Sequence, residues 1–485
     1  MATTLARDSA TWTVSPAEPR APARPTDWRG TLVTVAMGET LVQLGLAPIT
    51  AVLPGLAEAL GVSAADGAWL LTVYILALAG TLLVAGRLGD LLGHRRIFGL
   101  GALVYAGATA AGGLAPGFEM LLAARVAQGV GAAMISGNNL AILTRATPAE
   151  QRGRAIAIVA TISSVASVLG AGLGTVALGL GSWELLFFAM TPLAVWAAFR
   201  ARSLPGSTPD LARGSVDWAG AGLLVVTISL VAIALNHPHT TASEVVMPVF
   251  HTWLPVLAIV AAGAFVAVER RVRLPLLDWA QLRDRVFAAA VGVNAILHLT
   301  MMASMFLGPI LVVRGLGMDI TAGGMLMVVV QVSVVATAYL GGWLYDRTRA
   351  AWIRPGAAAM LGAGLGMWAL AGLHGSYAGL LAAGLFAGFG SGVLLAVNNT
   401  IIMGALPASA RGVASGMLET TRHFGHAFGV TVPTAILALV VAGAAPSATA
   451  EADALRLGFF WACLAMAALA ALGVALALIR PRTQP

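Results

Sequence analysis

The stretch GRLGD, residues 86–90, returns as GWLYD at residues 342–346, and PAEQRGRA at 148–155 returns as PASARGVA at 407–414. Both second copies are displaced by nearly the same interval, so the chain reads as two homologous halves with extra sequence set between them. Around these motifs the sequence is strongly apolar: of 485 residues, 59% are hydrophobic and 10% charged, with a mean hydropathy of +0.87. That leaves too little polar side chain to cover the surface of a water-soluble protein. A membrane-spanning helix needs about 20 apolar residues, and fourteen such stretches lie between Thr31 and Ile479. They are long, Leu/Ala/Val-rich runs rather than short alternating segments, which excludes a membrane barrel and predicts an all-α polytopic membrane protein of 14 transmembrane helices.

All 28 basic residues are arginine, and the formal net charge is +7. Their placement says more than their sum. Arginine clusters fall in every second connection, among them Arg87, Arg95 and Arg96, then Arg145, Arg152 and Arg154, then Arg347, Arg349 and Arg354, whereas the alternate connections hold only Arg314 and Arg456. The positive-inside rule then puts both termini in the cytoplasm, in a multi-pass protein of the plasma or inner membrane. Residues 1–29 and 480–485 read as cytoplasmic tails. Residues 30–200 form a first six-helix bundle, 201–285 an inserted transmembrane hairpin with cytoplasmic linkers, and 286–479 a second six-helix bundle. The lone cysteine, Cys463, allows no intrachain disulfide and no cysteine metal cluster.

In these motifs the chain resembles the major facilitator superfamily, specifically its fourteen-helix branch of drug:proton antiporters. GRLGDLLGHRR at 86–96 matches the family signature between the second and third helices. RVAQGVGAAM on the fourth helix supplies Arg125, Gln128, Gly129 and Gly131 at family positions; DWAG at 217–220 opens the inserted pair, and RGVASG at 411–416 precedes Arg422 and Gly425. Two positions depart from the pattern. Counting back from Leu53 and Pro54 puts Gly45 where the first helix usually carries Asp, and the fifth-helix export signature appears as GAGLGT at 170–175 without its proline.

Charged side chains inside apolar runs are costly and mark function. Glu39 stands roughly 14 Å along the first helix at about 1.5 Å per residue, near the middle of a ~30 Å hydrocarbon layer, where low dielectric favours the neutral carboxyl and suits a proton carrier. It could equally be hydrogen-bonded to Gln43 one turn on, or paired with a fixed arginine. Arg125 cannot give up its proton and must find a carboxylate, carbonyls or water; in the resembling family this arginine is linked to proton transfer, and one conformation could bring it to Glu39. Glu419, Arg422, His423 and His426 share one face of the thirteenth helix. Proton coupling is thus assigned to Glu39, Arg125, Glu419 and Arg422. A substrate cavity is assigned to Gln43, Asn138, Asn294, His298, Gln331 and Asn398, with Asn139 and Asn399 beside them and Met301, Met302, Met305, Met325 and Met327 as an adaptable wall. Gly86, Arg87, Gly89, Asp90, Gly93, Arg95 and Arg96, with Asp346 in the second copy, read as a conformational latch at the cytoplasmic helix ends.

These residues predict a proton-coupled secondary transporter exporting small, fairly apolar organic compounds, a monomer in the lipid bilayer with no cofactor beyond the proton gradient. Metabolite uptake or export on the same fold, or a transporter-like receptor that moves nothing, are the competing readings. An enzyme is not expected, since no metal-spaced cluster and no Ser/His/Asp set is present, and neither is a nucleic-acid partner.

Overall fold

A computed structural model describes residues 28–148, 151–206, 217–235, 253–272, 281–406, 411–442 and 448–479. Most of the expected tails, the linker around Arg213 and Arg273 lie outside the described residues. Among the described residues every element is helical, as hydrocarbon requires: a helix satisfies its own backbone polar groups, and an apolar solvent supplies no others. The first group contains α1 (Trp28–Leu44), α2 (Ala47–Ala59), α3 (Ala64–Leu92), α4 (His94–Gly113), α5 (Phe118–Ala146), α6 (Arg152–Gly179) and α7 (Glu184–Arg200). A shorter pair follows, α8 (Trp218–Leu235) and α9 (Leu254–Glu269). The second group contains α10 (Arg285–Ile310), α11 (Ile320–Thr348), α12 (Ile353–Leu373), α13 (Tyr377–Ala405), α14 (Arg411–Ala442) and α15 (Ala448–Ala477). Among the described residues eleven stretches are long and apolar enough to cross a membrane, with α1 and α2 together making one of 32 residues; α8 and α9 are shorter apolar helices.

Helix ends are set by local chemistry. The side chains of Ser63, Asp284, Asp319 and Ser376 accept backbone N–H groups at the starts of α3, α10, α11 and α13, satisfying donors that have no partner inside the helix. Between α3 and α4 the chain turns at Gly93 with φ of +101°, a conformation that an L side chain resists. The glycine of the GRLGDLLGHRR motif is therefore a hinge required by geometry.

The two groups repeat one packing scheme. In the first, α3 and α4 both lie against α5 and α4 also packs on α7; in the second, α11 and α12 lie against α13 and α12 also packs on α15. Gly129 and Gly131 let α5 close on its neighbours, for a Cβ at these positions would stand 2.4 Å from Tyr74 O of α3 and 2.7 Å from Tyr105 N of α4. The groups meet where α3 touches α14, α6 touches α11, and α2 touches α10. The first apolar run, read as a continuous span, is broken at Gly45–Leu46, because Pro48 in the first turn of α2 has no N–H to continue the ladder.

Candidate functional site

At the break, Leu46 N bonds Gln43 O at 3.0 Å, and the Val42 carbonyl accepts the Tyr74 hydroxyl at 2.9 Å. The Tyr105 hydroxyl donates to Leu41 O at 2.6 Å. These two hydroxyls fill the space where a side chain at position 45 would begin: a Cβ there would lie 2.6 Å from Tyr74 Oη and 2.8 Å from Tyr105 Oη. Gly45 is thus bound up with the tyrosine pair. Arg125 completes the cluster. Fully buried, its guanidinium lies 4.2 Å from the Tyr74 ring centroid, with Nε donating to Leu70 O at 2.9 Å and Nη1 to Gln128 Oε1. Gln128 in turn donates to Thr109 Oγ1 at 2.9 Å. In this conformation Arg125 thus meets a carbonyl, an amide and an aromatic face, while its buried Nη2 has no hydrogen-bond partner among the described residues.

Glu39 takes a different partner. Its Oε2 accepts Asn139 Nδ2 of α5 at 3.0 Å, and its Oε1 accepts Arg422 Nη2 of α14 at 3.1 Å, so an ion pair joins the two groups of helices. Arg422 also bonds Glu419 one turn earlier on α14. From Glu419 the network continues to His423, whose Nε2 lies 3.8 Å from Glu419 Oε2 and 3.5 Å from Ser136 Oγ of α5. The His423 and His426 rings stand 5.9 Å apart, and those of His426 and His298 5.2 Å. One guanidinium here faces two carboxylates, an imbalance that a proton or a cationic group would offset.

Three of the amides assigned to the cavity serve as staples inside their own group. Asn294 donates to Leu418 O and Thr421 Oγ1, both at 2.9 Å. Asn138 donates to Ala85 O at 3.1 Å while its Oδ1 meets His94 Nδ1 at 2.7 Å. Asn398 donates to Ala290 O at 2.9 Å and accepts Arg354 Nε at 3.1 Å. The last two sets correspond, for His94–Asn138 and Arg354–Asn398 are each 44 residues apart. The pairs Asn138–Asn139 and Asn398–Asn399 are a third repeat, visible in the sequence once the helices are aligned. Gln331 reaches across the groups to Ser167 Oγ at 3.3 Å, and Gln43 stands one turn beyond Glu39. Beside Gln331, the side chains of Met301, Met305, Met327 and Trp368 line a hollow within the second group.

At the α3–α4 turn, Asp90 lies 3.9 Å from Arg87 and 3.3 Å from His94. Asn138 spends its amide hydrogens on the carbonyls of Ala85 and Met134, and its oxygen faces His94 Nδ1. A Cβ at Gly89 would fall 1.8 Å from that oxygen. Gly86 also lies against α5, at Gly137 O. Asp346 lies 3.5 Å from Arg349, and both are exposed, while Arg95 and Arg96 point outward. Sequence reasoning missed Tyr74, Tyr105, Ser136, Ser167 and His94. The rarity of tyrosine, five in the chain, was the available signal. Among the described residues no group of His, Cys, Asp and Glu could hold a metal ion.

The profile described as Major Facilitator Superfamily matches residues 35–430 and, separately, 290–485. The chain belongs to the Major Facilitator Superfamily. Among the relatives of this superfamily member are the multidrug resistance protein Stp of Mycobacterium tuberculosis, 28% identical over 416 residues that cover 84% of this chain and 75% of Stp. The cephamycin export protein CmcT of Amycolatopsis lactamdurans is 31% identical over 416 residues, covering 83% of each chain. The crystal structure of a D-xylose–proton symporter superposes with a TM-score of 0.63 at 15% identity, over 92% of this chain and 97% of the symporter. This superfamily member is a polytopic membrane transporter of small molecules, and not an enzyme.

Proposed function

We propose that this transporter is a proton-driven exporter of small, fairly apolar organic compounds, working as a monomer by alternating access, with fourteen spans and both termini in the cytoplasm. The observation that carries the reading is the bridge Glu39–Arg422–Glu419 between the two groups of helices. With both carboxylates ionised, Arg422 ties α1 to α14. A proton arriving on Glu39 cancels its charge, Arg422 remains with Glu419, and the tie across the groups loosens; loss of the proton restores it. Substrate is received by the methionine and tryptophan wall beside Gln331, whose flexible thioethers accept irregular apolar shapes. Export as the direction draws support from the names of Stp and CmcT, a multidrug resistance protein and a cephamycin export protein.

The test is substrate-driven proton movement in inverted vesicles, screening hydrophobic cations and natural antibiotics, with Glu39→Gln beside the unaltered protein. The unaltered protein responds to a compound that it exports, and Glu39→Gln does not. Equal responses would remove Glu39 from coupling, and transport without proton movement would remove proton exchange altogether.

A further inference from the structure

The arginines that close the GRLGDLLGHRR motif have no part in the bridge just described. Arg95 and Arg96 stand at the start of α4 and Arg202 just beyond the end of α7; all three are exposed, and no carboxylate among the described residues pairs with any of them. They gather at one end of a groove of about 470 Å³ between α4 and α7. Because α4 and α7 are antiparallel neighbours, the charged start of one lies beside the charged end of the other. The far end of the groove is apolar on both sides.

Small residues make the floor and large ones the walls. Gly99 and Ala201 come close enough that a Cβ on Gly99 would lie 3.2 Å from the Ala201 Cβ, and Ala198 continues the same channel. Leu103 and Phe199, 59% and 65% exposed, rise on either side. In an ordinary soluble protein such walls would face water; here they face hydrocarbon. From Arg96 to Leu103 the groove extends roughly 10 Å along the helix axis at about 1.5 Å per residue, so charge at one end gives way to apolar surface within the depth of the upper acyl chain. The Arg202 guanidinium lies 5.5 Å from the Phe199 ring centroid, at the junction of the two zones.

A ligand for this groove carries a fixed negative charge at one end and a long apolar body at the other. Arginine forks match phosphate oxygens and stay charged at any physiological pH, and basic pockets between membrane helices on the positive side hold anionic lipid headgroups. We infer that the α4–α7 groove is a binding site for an anionic phospholipid, its phosphate held by Arg95, Arg96 and Arg202 and one acyl chain lying along Gly99 and Ala198 between Leu103 and Phe199. The occupied site touches the residues that follow His94 of the latch, so the lipid is placed where it steadies the α3–α4 turn.

Native mass spectrometry of the full-length protein in detergent tests the site, after equilibration with phosphatidylglycerol or phosphatidylcholine. Phosphatidylglycerol is retained in preference to phosphatidylcholine, and the variant R95A/R96A/R202A loses that preference, each arginine accounting for about fivefold in retention. R95K/R96K/R202K keeps most of it, and Ala198→Trp, which fills the channel with all three charges in place, loses it. Equal retention of the two lipids by the unaltered protein, or full retention by the triple alanine variant, overturns the proposal. Displacement of phosphatidylglycerol by millimolar inorganic phosphate, with Ala198→Trp still binding phosphate, would make the groove a free-anion site and overturn it too.

Discussion

Arg422 is one cation held between two carboxylates, and removing it has a different cost from removing either of them. Arg422→Gln leaves Glu39 and Glu419 facing each other in a place where a bare charge is expensive, whereas Glu39→Gln leaves the Arg422–Glu419 pair intact. Breaking a buried pair from one side costs about 3–5 kcal/mol, and removing both members costs much less. Thermal unfolding in detergent should therefore rank Arg422→Gln as the least stable, Glu39→Gln as mildly affected, and the double Glu39→Gln/Arg422→Gln variant as more stable than Arg422→Gln alone. A double variant no better than the sum of its parts would mean that the two side chains are not energetically coupled. At this scale the sequence disclosed which residues were costly, because a charge in an apolar run stands out. It did not disclose their partners. Glu39 and Arg422 are 383 positions apart, and no spacing rule links them. The pairing of Glu39 with Arg125, one conformational possibility, is not the contact in this structure, where Arg125 meets Leu70 O, Gln128 and the face of Tyr74 and Glu39 meets Asn139 and Arg422.

Elements show the same division between pattern and pairing. Apolar runs were legible as helices because hydropathy and length decide what can live in hydrocarbon, but the break between α1 and α2 was hidden inside one of them. Its residues, Gly45 to Pro48, include nothing charged, and only the proline and the two tyrosines of other helices reveal it. The cluster of glycines, an aspartate and arginines at a helix end, which the sequence suggests as a latch, was legible as a motif. What the structure adds is His94, which ties Asp90 on α3 to Asn138 on α5 across the hinge at Gly93. The second copy places Arg354 and Asn398 in the corresponding positions, so the contact belongs to the repeat and holds helix ends in register in both groups. His94→Ala should leave the protein inserted and its substrate affinity unchanged while slowing turnover about tenfold, the effect of roughly 1.4 kcal/mol on the barrier between conformations. Equilibrium binding measured beside transport rate separates the outcomes: weakened binding with turnover intact would move His94 out of the latch and into the substrate path.

On the scale of the whole molecule, the inserted pair lies over a seam. Helix α8 packs on α3 of the first group and on α14 of the second, and Leu224, Ile228 and Phe265 form a small core with Leu76 and Leu83 on one side and Phe424 on the other. A helix that touches both groups must follow one of them when they move. The contacts favour α3. At Gly80 the absence of a side chain brings α3 hard against Val225, with an added Cβ 3.0 Å from Val225 Cγ2, whereas on the α14 side the small core has, among the described residues, a single side chain, that of Phe424. The distance from that Gly80 Cβ to the Val225 Cβ is 3.7 Å, within the range that a disulfide spans. In a Cys463→Ser background, the pair Gly80→Cys/Val225→Cys should oxidise readily and leave transport undiminished, because helices that travel together lose nothing by being joined. Transport that stops on oxidation and returns with reductant would mean that α8 slides on α3 during each cycle and that the pair travels with the second group, making the α3–α8 face the moving seam.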